Sequence, residues 1–355
     1  MGNAKKAMRA AIYNPYLDTL GGGERYVMTV AQVLEKNGWE VDVEWDDAGI
    51  LKKLEDRLGL DLSGVRVVSG IHKGREYDLC FWLSDGSIPR LYAQKNILHF
   101  QVPFHDVSGK SLFNRLKLRR IHKVVCNSKF TKKFIDKEYG VNSVVVYPPV
   151  DVEEFNTLPV GKQGKKENII LSIGRFSQLL QAKRQDVLVS VFKKMVDGGL
   201  EGWKLILAGG SDIGGEEFAR SLRFETRGYP IEIIENPDFE ALKKLYGRAK
   251  IFWSASGFGV NEEKEPEKVE HFGIVVVEAM AAGCVPVVNN KGGYSEIIEN
   301  GINGILWDSR NELREQTVRL IKDEKERIKF SKTCKKRAQQ FSQAKFEDEI
   351  LKVIL

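Results

Sequence analysis

The sequence predicts an α/β protein made of two doubly wound, parallel-sheet domains. Three observations carry that expectation. Short runs rich in β-branched and aromatic residues alternate with helix-like stretches throughout the chain. The alternation pauses at a Pro- and Gly-containing polar segment and then restarts. A length of 355 residues also exceeds what one hydrophobic core usually serves.

In the first part the strand candidates are MRAAIYN, WEVDVEW, VRVVS, YDLCFWL, NILHF, KVVCN and SVVVYPP. Helical patterns separate several of them. GERYVMTVAQVLEKNG (23–38), for example, spaces apolar residues by three and four and stops at Asn37-Gly38. The segment 147–168 reads as a linker, and the domain bounds are set at 1–152 and 167–335, with 153–166 between them. After the linker come IILSIGR, WKLILAGG, IEIIEN, KIFWSAS and CVPVVNN, each followed by a helical stretch, and a last helix-like segment closes the chain. Open α/β sheets bind ligands beyond the carboxyl ends of their strands, so a cleft between two such sheets is the expected place for a site.

Composition narrows the class. Apolar content of 42% and charged content of 29% describe an ordinary soluble protein. No apolar run approaches the ~20 residues of a membrane span, and the start lacks the apolar core of a secretory signal. Cys80, Cys126, Cys284 and Cys334 are widely spaced, which predicts neither disulfide nor zinc and fits a reducing cytoplasm. The net charge of +6 lies entirely in residues 1–150, with 23 Lys+Arg against 17 Asp+Glu; residues 151–355 balance at 32 each. Residues 110–133 hold nine Lys and Arg and no acid. Leu112, Phe113 and Leu116 make the first part of that stretch an amphipathic basic helix, suited to an anionic membrane surface or else to a solvated face over the core. No nucleic-acid motif accompanies the charge.

Four stretches could carry chemistry. NPYLDTLGGGERYVM (14–28) puts three glycines between a strand and a helix, where backbone amides can approach an anion. In SIGRFSQLLQAKRQD (172–186), Arg175 follows a strand end and Lys183 lies eight residues on; a guanidinium fork and an ammonium can together grip a diphosphate. EKVEHFGIVVVEAMAAGC (267–284) predicts a helix beginning near Gly273, with Glu270 just before it and Glu278 inside it among valines and alanines. The free amides of that first turn suit a phosphate or a sugar hydroxyl. Glu278 is costly to bury without donors, for which ribose hydroxyls or a neighbouring lysine are the candidates. In NNKGGYSEIIENGINGILW (289–307), Gly292-Gly293 at a strand–helix junction suits close backbone approach to a ligand, and NGINGIL leads into another short strand.

Taken together, the E-x7-E run, the Gly-Arg-Phe…Lys pair, the GGGER loop and NSKFTKKF…VVYPPVD resemble the retaining GT-B glycosyltransferases of family 4 (group 1) along essentially the whole chain. EHFGI-x-VVE-x-MAAG also resembles the mannosyltransferases that elongate dolichol-linked oligosaccharides. The resemblance implies two Rossmann-like domains facing across a cleft, residues 1–152 binding acceptor, residues 167–335 binding nucleotide sugar, and a terminal helix 336–355 crossing back onto the first domain. Glu270 is then expected at the donor-sugar hydroxyls and Glu278 at the ribose. Arg175 and Lys183 would neutralise the diphosphate. Amides around Phe272, Gly273 and Ile274 would hold sugar and phosphate, with Gly22 and Gly23 contributing from the first domain.

No cofactor and no metal are implied, the nucleotide diphosphate sugar being a co-substrate; the sequence has no Asp-x-Asp. Many members carry a His two residues before the Pro of a first-domain loop. Here ILHFQVPFHD has Gln101 at that spacing from Pro103, with His99 read as packed in a strand and His105 as the substitute site residue. GDP-mannose is the first donor expected and UDP-sugars the alternative, with a glycan or lipid-linked saccharide as acceptor. The expected place is the cytoplasm, or the cytoplasmic face of a membrane. A nucleotide-sugar epimerase and a non-catalytic nucleotide-sugar-binding subunit are the rival readings.

Overall fold

The computed structural model describes residues 7–158, 165–177, 181–211 and 215–355. The chain divides into two compact units, one formed by residues 1–149 with 344–355 and the other by 150–343.

The first unit is a seven-stranded sheet. Its strands are β1 (Arg9–Tyr13), β2 (Glu40–Glu44), β3 (Val65–Val68), β4 (Leu79–Leu83), β5 (Lys95–Phe100), β6 (Lys123–Cys126) and β7 (Val144–Val145), in the order β3-β2-β1-β4-β5-β6-β7. Every pairing is parallel. All seven strands were visible in the sequence because a parallel sheet covered on both faces selects unbroken β-branched runs. Helices α1 (Gly22–Lys36), α2 (Gly49–Leu58), α3 (Leu112–Leu118) and α4 (Lys129–Tyr139) follow strands β1, β2, β5 and β6. The main core packs α1 residues Tyr26, Val27, Val30, Ala31 and Leu34 with the strands and with Phe346, Ile350 and Ile354 of the C-terminal helix (Gln343–Ile354). Phe346 meets the Tyr26 ring edge-on at 5.0 Å.

The second unit is a six-stranded sheet of β8 (Glu167–Ile173), β9 (Lys204–Gly209), β10 (Ile231–Glu235), β11 (Ala249–Ser254), β12 (Val285–Asn289) and β13 (Ile305–Trp307), in the order β10-β9-β8-β11-β12-β13. Its pairings are parallel too. The helices are α5 (Val152–Asn156), α6 (Gln185–Asp197), α7 (Gly215–Glu225), α8 (Phe239–Arg248), α9 (Ile274–Ala281), α10 (Tyr294–Ile297), α11 (Arg310–Lys322) and α12 (Glu324–Ala338).

Two local expectations change. Residues 153–156, read as linker, are helical: Asp151 caps α5 by accepting the Glu154 N–H, and buried Phe155 packs edge-on against Tyr246 at 5.3 Å. Residues 159–164 of that linker lie outside the described residues. The last helix-like segment is two helices, not one. α12 ends at Ala338, a short 3₁₀ turn follows, and Phe341 and Gln343 hydrogen-bond with Val150. Residues 336–343 therefore stay with the second unit and only 344–355 join the first. All four cysteines are free and buried.

His99 sits at the centre of the first unit on β5, fully buried, stacked on Tyr26 at 4.1 Å, with Nδ1 3.1 Å from the Val125 carbonyl. Burial holds its pKa down to about 3, against a small upward pull from that carbonyl. The unfolded imidazole takes up its proton below about 6.5, so His99 leaves stability intact above that pH and erodes it as pH falls toward the folded value. Between about pH 7.5 and pH 5 the first unit should lose about 2 kcal/mol that His99→Phe retains. Hydrogen exchange of the β4–β6 amides in both proteins reads this directly, and equal losses would exclude His99 as the cause.

Candidate functional site

The second unit brings several of the expected residues together around the start of α9. Gly273 is the residue before the helix, with φ 114°, a conformation that favours glycine. A Cβ there would come within 2.6 Å of the Tyr294 ring. Ile274 opens the helix and Phe272, buried before it, packs edge-on against Phe341 at 5.4 Å. The Gly292-Gly293 pair serves this same segment. A Cβ at Gly292 would collide with the Glu270 carbonyl oxygen, and one at Gly293 would lie 2.6 Å from the Phe272 Cα. Gly293 N–H also donates to the Glu270 carbonyl at 2.8 Å. The close approach read from the sequence is thus made to the Glu270–Phe272 backbone.

Glu270 and Lys183 form one ion pair. Lys183 Nζ donates to Glu270 Oε2 at 2.6 Å, with only 16% and 14% of the two side chains exposed. Burial on its own would raise the Glu270 pKa; the Lys183 charge and hydrogen bond outweigh it and hold the carboxyl below its usual range, with His271 and Tyr294 helping. Tyr294 Oη donates to the same oxygen at 3.4 Å and lies 2.7 Å from Ser254 Oγ. Burial and the Glu270 charge push the Tyr294 phenol well above its ordinary value, so it stays a proton donor. The Lys183 stem lies along Gly174, where a Cβ would meet Lys183 Cγ at 2.7 Å. Glycine at the strand end therefore makes room for the lysine.

Arg175 follows Gly174 as expected, but its side chain is exposed. Its backbone is fixed: Gln185 Nε2 donates to the carbonyls of Gly174 and Arg175 at 3.3 and 3.0 Å. Glu278 is buried inside α9, and one of its donors is a residue that the sequence did not single out. Tyr246 Oη, on α8, donates to Glu278 Oε2 at 2.8 Å.

Gly22, Gly23 and His105 belong to the first unit. Gly22 and Gly23 open α1, and Gln101 Nε2 donates to the Gly23 carbonyl at 3.0 Å. A side chain at Gly23 would run into Gln101 Oε1. His105 is partly exposed and pairs its Nδ1 with Asp106 Oδ2 at 3.0 Å. His99, read as packed, is in the core.

Sequence reasoning passed over Tyr246 and Tyr294. Tyr294 had a usable signal, since it directly follows the tight Gly292-Gly293 junction. Tyr246 had none, because an aromatic in an amphipathic helix reads as core.

Removing the lysine should expose the cost of the buried carboxylate. Lys183→Met is expected to destabilise the second unit by about 3 kcal/mol, and adding Glu270→Gln should restore part of it. The wild type should lose this contribution only as pH falls below the ordinary carboxylate range, since a depressed pKa stabilises above it. Chemical denaturation of the three proteins across that range checks both points; a restoration of nothing would mean that the pair is not the source.

Several curated proteins are similar to the chain. It is 29% identical over 231 residues to the GDP-Man:Man(3)GlcNAc(2)-PP-Dol alpha-1,2-mannosyltransferase of Dictyostelium discoideum, covering 61% of this chain and 43% of that one. The human enzyme of that name is 29% identical over 245 residues, covering 63% and 46%. The GDP-mannose:cellobiosyl-diphosphopolyprenol alpha-mannosyltransferase of Komagataeibacter xylinus is 29% identical over 146 residues, covering 41% and 33%. The chain thus spans less than half the length of these relatives. Among solved structures, a Rickettsia africae glycosyltransferase has a TM-score of 0.78 at 18% identity over 98% of both chains. Anabaena Alr3699/HepE, solved with UDP and glucose, has a TM-score of 0.74 at 18% identity, covering 98% and 99%. These likenesses give the fold as GT-B. Residues 155–337, which hold Lys183, Glu270 and Glu278, match the family of glycosyl transferases group 1, and the chain belongs to that family.

Proposed function

We propose that the protein transfers a hexose from a nucleotide diphosphate sugar to a glycan or lipid-linked saccharide, retaining anomeric configuration, with no metal and no cofactor. Mannose from GDP-mannose is the donor we favour. The observation that carries the reading is the buried Lys183–Glu270 pair at the start of α9. A glycosyl–phosphate bond breaks through an oxocarbenium-like centre beside a departing diphosphate, so the main task is stabilising negative charge. Lys183, Arg175 and the first amides of α9, near Phe272, Gly273 and Ile274, are the groups proposed for it. Glu270 then accepts from donor-sugar hydroxyls, and Glu278, held by Tyr246, accepts from the ribose.

Retention follows if the acceptor attacks from the face that the leaving group departs, with a phosphate oxygen taking its proton. Gly22, Gly23 and His105 are the first-unit residues proposed to contact substrate. The names of the mannosyltransferase relatives, with GDP-Man or GDP-mannose as donor and a -PP-Dol or diphosphopolyprenol-linked acceptor, support both choices.

Among the described residues no helix is long and apolar enough to cross a membrane. For a lipid-linked acceptor, we place the protein at the cytoplasmic face of a membrane, touching anionic lipid through the 110–133 stretch. α3 supports this: Leu112, Phe113 and Leu116 are 77%, 78% and 57% exposed on a helix that buries none of its residues. Leu112→Ser/Phe113→Ser should weaken sedimentation with anionic vesicles, and a wild type that stays in the supernatant would refute the contact.

Calorimetric titration with GDP, UDP and ADP, each with EDTA present, tests the donor reading. Binding of GDP alone supports it; binding of UDP alone would replace mannose from GDP-mannose with a UDP-sugar. Glu278→Ala should weaken binding of the preferred nucleotide by about 1–3 kcal/mol. Lys183→Ala and Arg175→Ala should each lower kcat, and wild-type turnover in both would remove the diphosphate assignment.

A further inference from the structure

A cluster of cations lies in the first unit, and of its members only Arg120 falls in a stretch assigned above, the basic 110–133 segment. β4, β5 and β6 run parallel, so the segments leading into them meet at one edge of the sheet. Those segments bring three exposed arginines to a single tyrosine. The guanidinium carbons of Arg75, Arg90 and Arg120 lie 5.4, 5.7 and 5.4 Å from the centre of the Tyr92 ring.

The backbone beneath this cluster is tightly built. Tyr92 N–H donates to the Lys73 carbonyl at 2.9 Å, and Arg120 Nε donates to the Leu91 carbonyl at 2.6 Å. Buried Asn96 donates from Nδ2 to the carbonyls of Ala93 and Arg120, each at 3.0 Å. The three segments are therefore held in register by bonds that do not use the arginine charges, apart from the one at Arg120.

Among the described residues none of the three guanidiniums forms an ion pair. Attraction to the ring face draws each of them in, while their mutual repulsion pushes them apart. Glu76 and Asp78 share a cavity of about 340 Å³ with Tyr92, but the Asp78 carboxylate there accepts from the Arg9 N–H and from Gln94 Nε2. An anion would be repelled from that cavity and drawn instead to the solvent side of the arginines.

We propose that Arg75, Arg90 and Arg120, gathered on Tyr92, bind a phosphate-bearing anion. Three forked donors exceed what the two oxygens of a carboxylate can accept, whereas a phosphate monoester offers three terminal oxygens and a matching geometry. The shared chemistry is the phosphate group, and it can come from a lipid headgroup or from a soluble phosphate ester. This site is independent of the proposed sugar transfer and stands if that reading fails.

The test uses the full chain with its tyrosines replaced by 3-fluorotyrosine, the Tyr92 resonance being assigned with Tyr92→Phe. Inorganic phosphate and phosphatidylcholine vesicles with and without phosphatidic acid are titrated in at constant ionic strength, with chloride as the control. The Tyr92 resonance should respond saturably to a phosphate probe and not to chloride. Arg75→Gln/Arg90→Gln should weaken that response about tenfold, the loss of two charged donors. Arg75→Lys/Arg90→Lys, which keeps the charge and loses the forks, should fall between the two. A response to free phosphate assigns a soluble ligand, and a response only to phosphatidic acid vesicles assigns a headgroup. The proposal is overturned if chloride acts like phosphate, if neither probe gives a saturable response, or if the glutamine variant responds like the wild type.

Discussion

Burying a carboxylate costs several kcal/mol unless a cation and hydrogen-bond donors replace the water it gives up, and the second unit meets this condition around Glu270. Lys183 comes from the approach to α6, Tyr294 from the start of α10, and the carboxylate from the approach to α9. Each is the residue of a strand-to-helix connection. Because the sheet is parallel, β8, β11 and β12 release their chains at one edge, and only there can three such connections meet. The glycines then follow as steric consequences. Gly174 admits the lysine stem, Gly273 turns the chain into α9, and Gly292 with Gly293 lets a second backbone lie on the first.

The two glutamates of this segment are held in different ways. Glu270 faces an ammonium and is kept ionised, with its pKa below the usual range. Glu278, just over one turn into the helix, accepts from the phenol of Tyr246. In the proposed reaction these environments suit different partners. The first carboxylate shares its site with a cation that can follow an arriving diphosphate. The second offers a fixed acceptor held against the wall of α8, fit for a neutral hydroxyl.

Much of this was legible in the sequence, for a physical reason. A parallel strand covered on both faces needs continuous β-branched or aromatic residues, and a helix laid across it needs apolar residues at three and four, so alternation of the two is written directly in the chain. The pairing of Glu270 and Glu278 with one helix start was legible as well, since charges are rare in a run such as IVVVEAMAAG. What was not legible depended on long-range neighbours. Nothing local to VDVEEFN says that Phe155 will find Tyr246, so the helix α5 read as linker. Likewise nothing in KKRAQQFSQAKF marks a break except Phe341 and Gln343 bonding to a residue far earlier in the chain, Val150. Gly292-Gly293 showed that something must approach closely, but sequence could not say whether that was a ligand or the protein's own backbone.

The C-terminal helix has a consequence for how the protein is made. Its Phe346, Ile350 and Ile354 complete a core whose other members all lie in the first 146 residues, and Lys95 Nζ holds the carbonyls of Ile354 and Leu355 at 3.0 and 2.8 Å. The first unit emerges first from the ribosome yet lacks one wall until the entire second unit has been translated. During that interval the face of α1 and β5 awaiting the helix exposes Tyr26 and its neighbours to solvent. The earlier-made unit therefore waits for residues 344–355, which follow the whole of the later-made one along the chain.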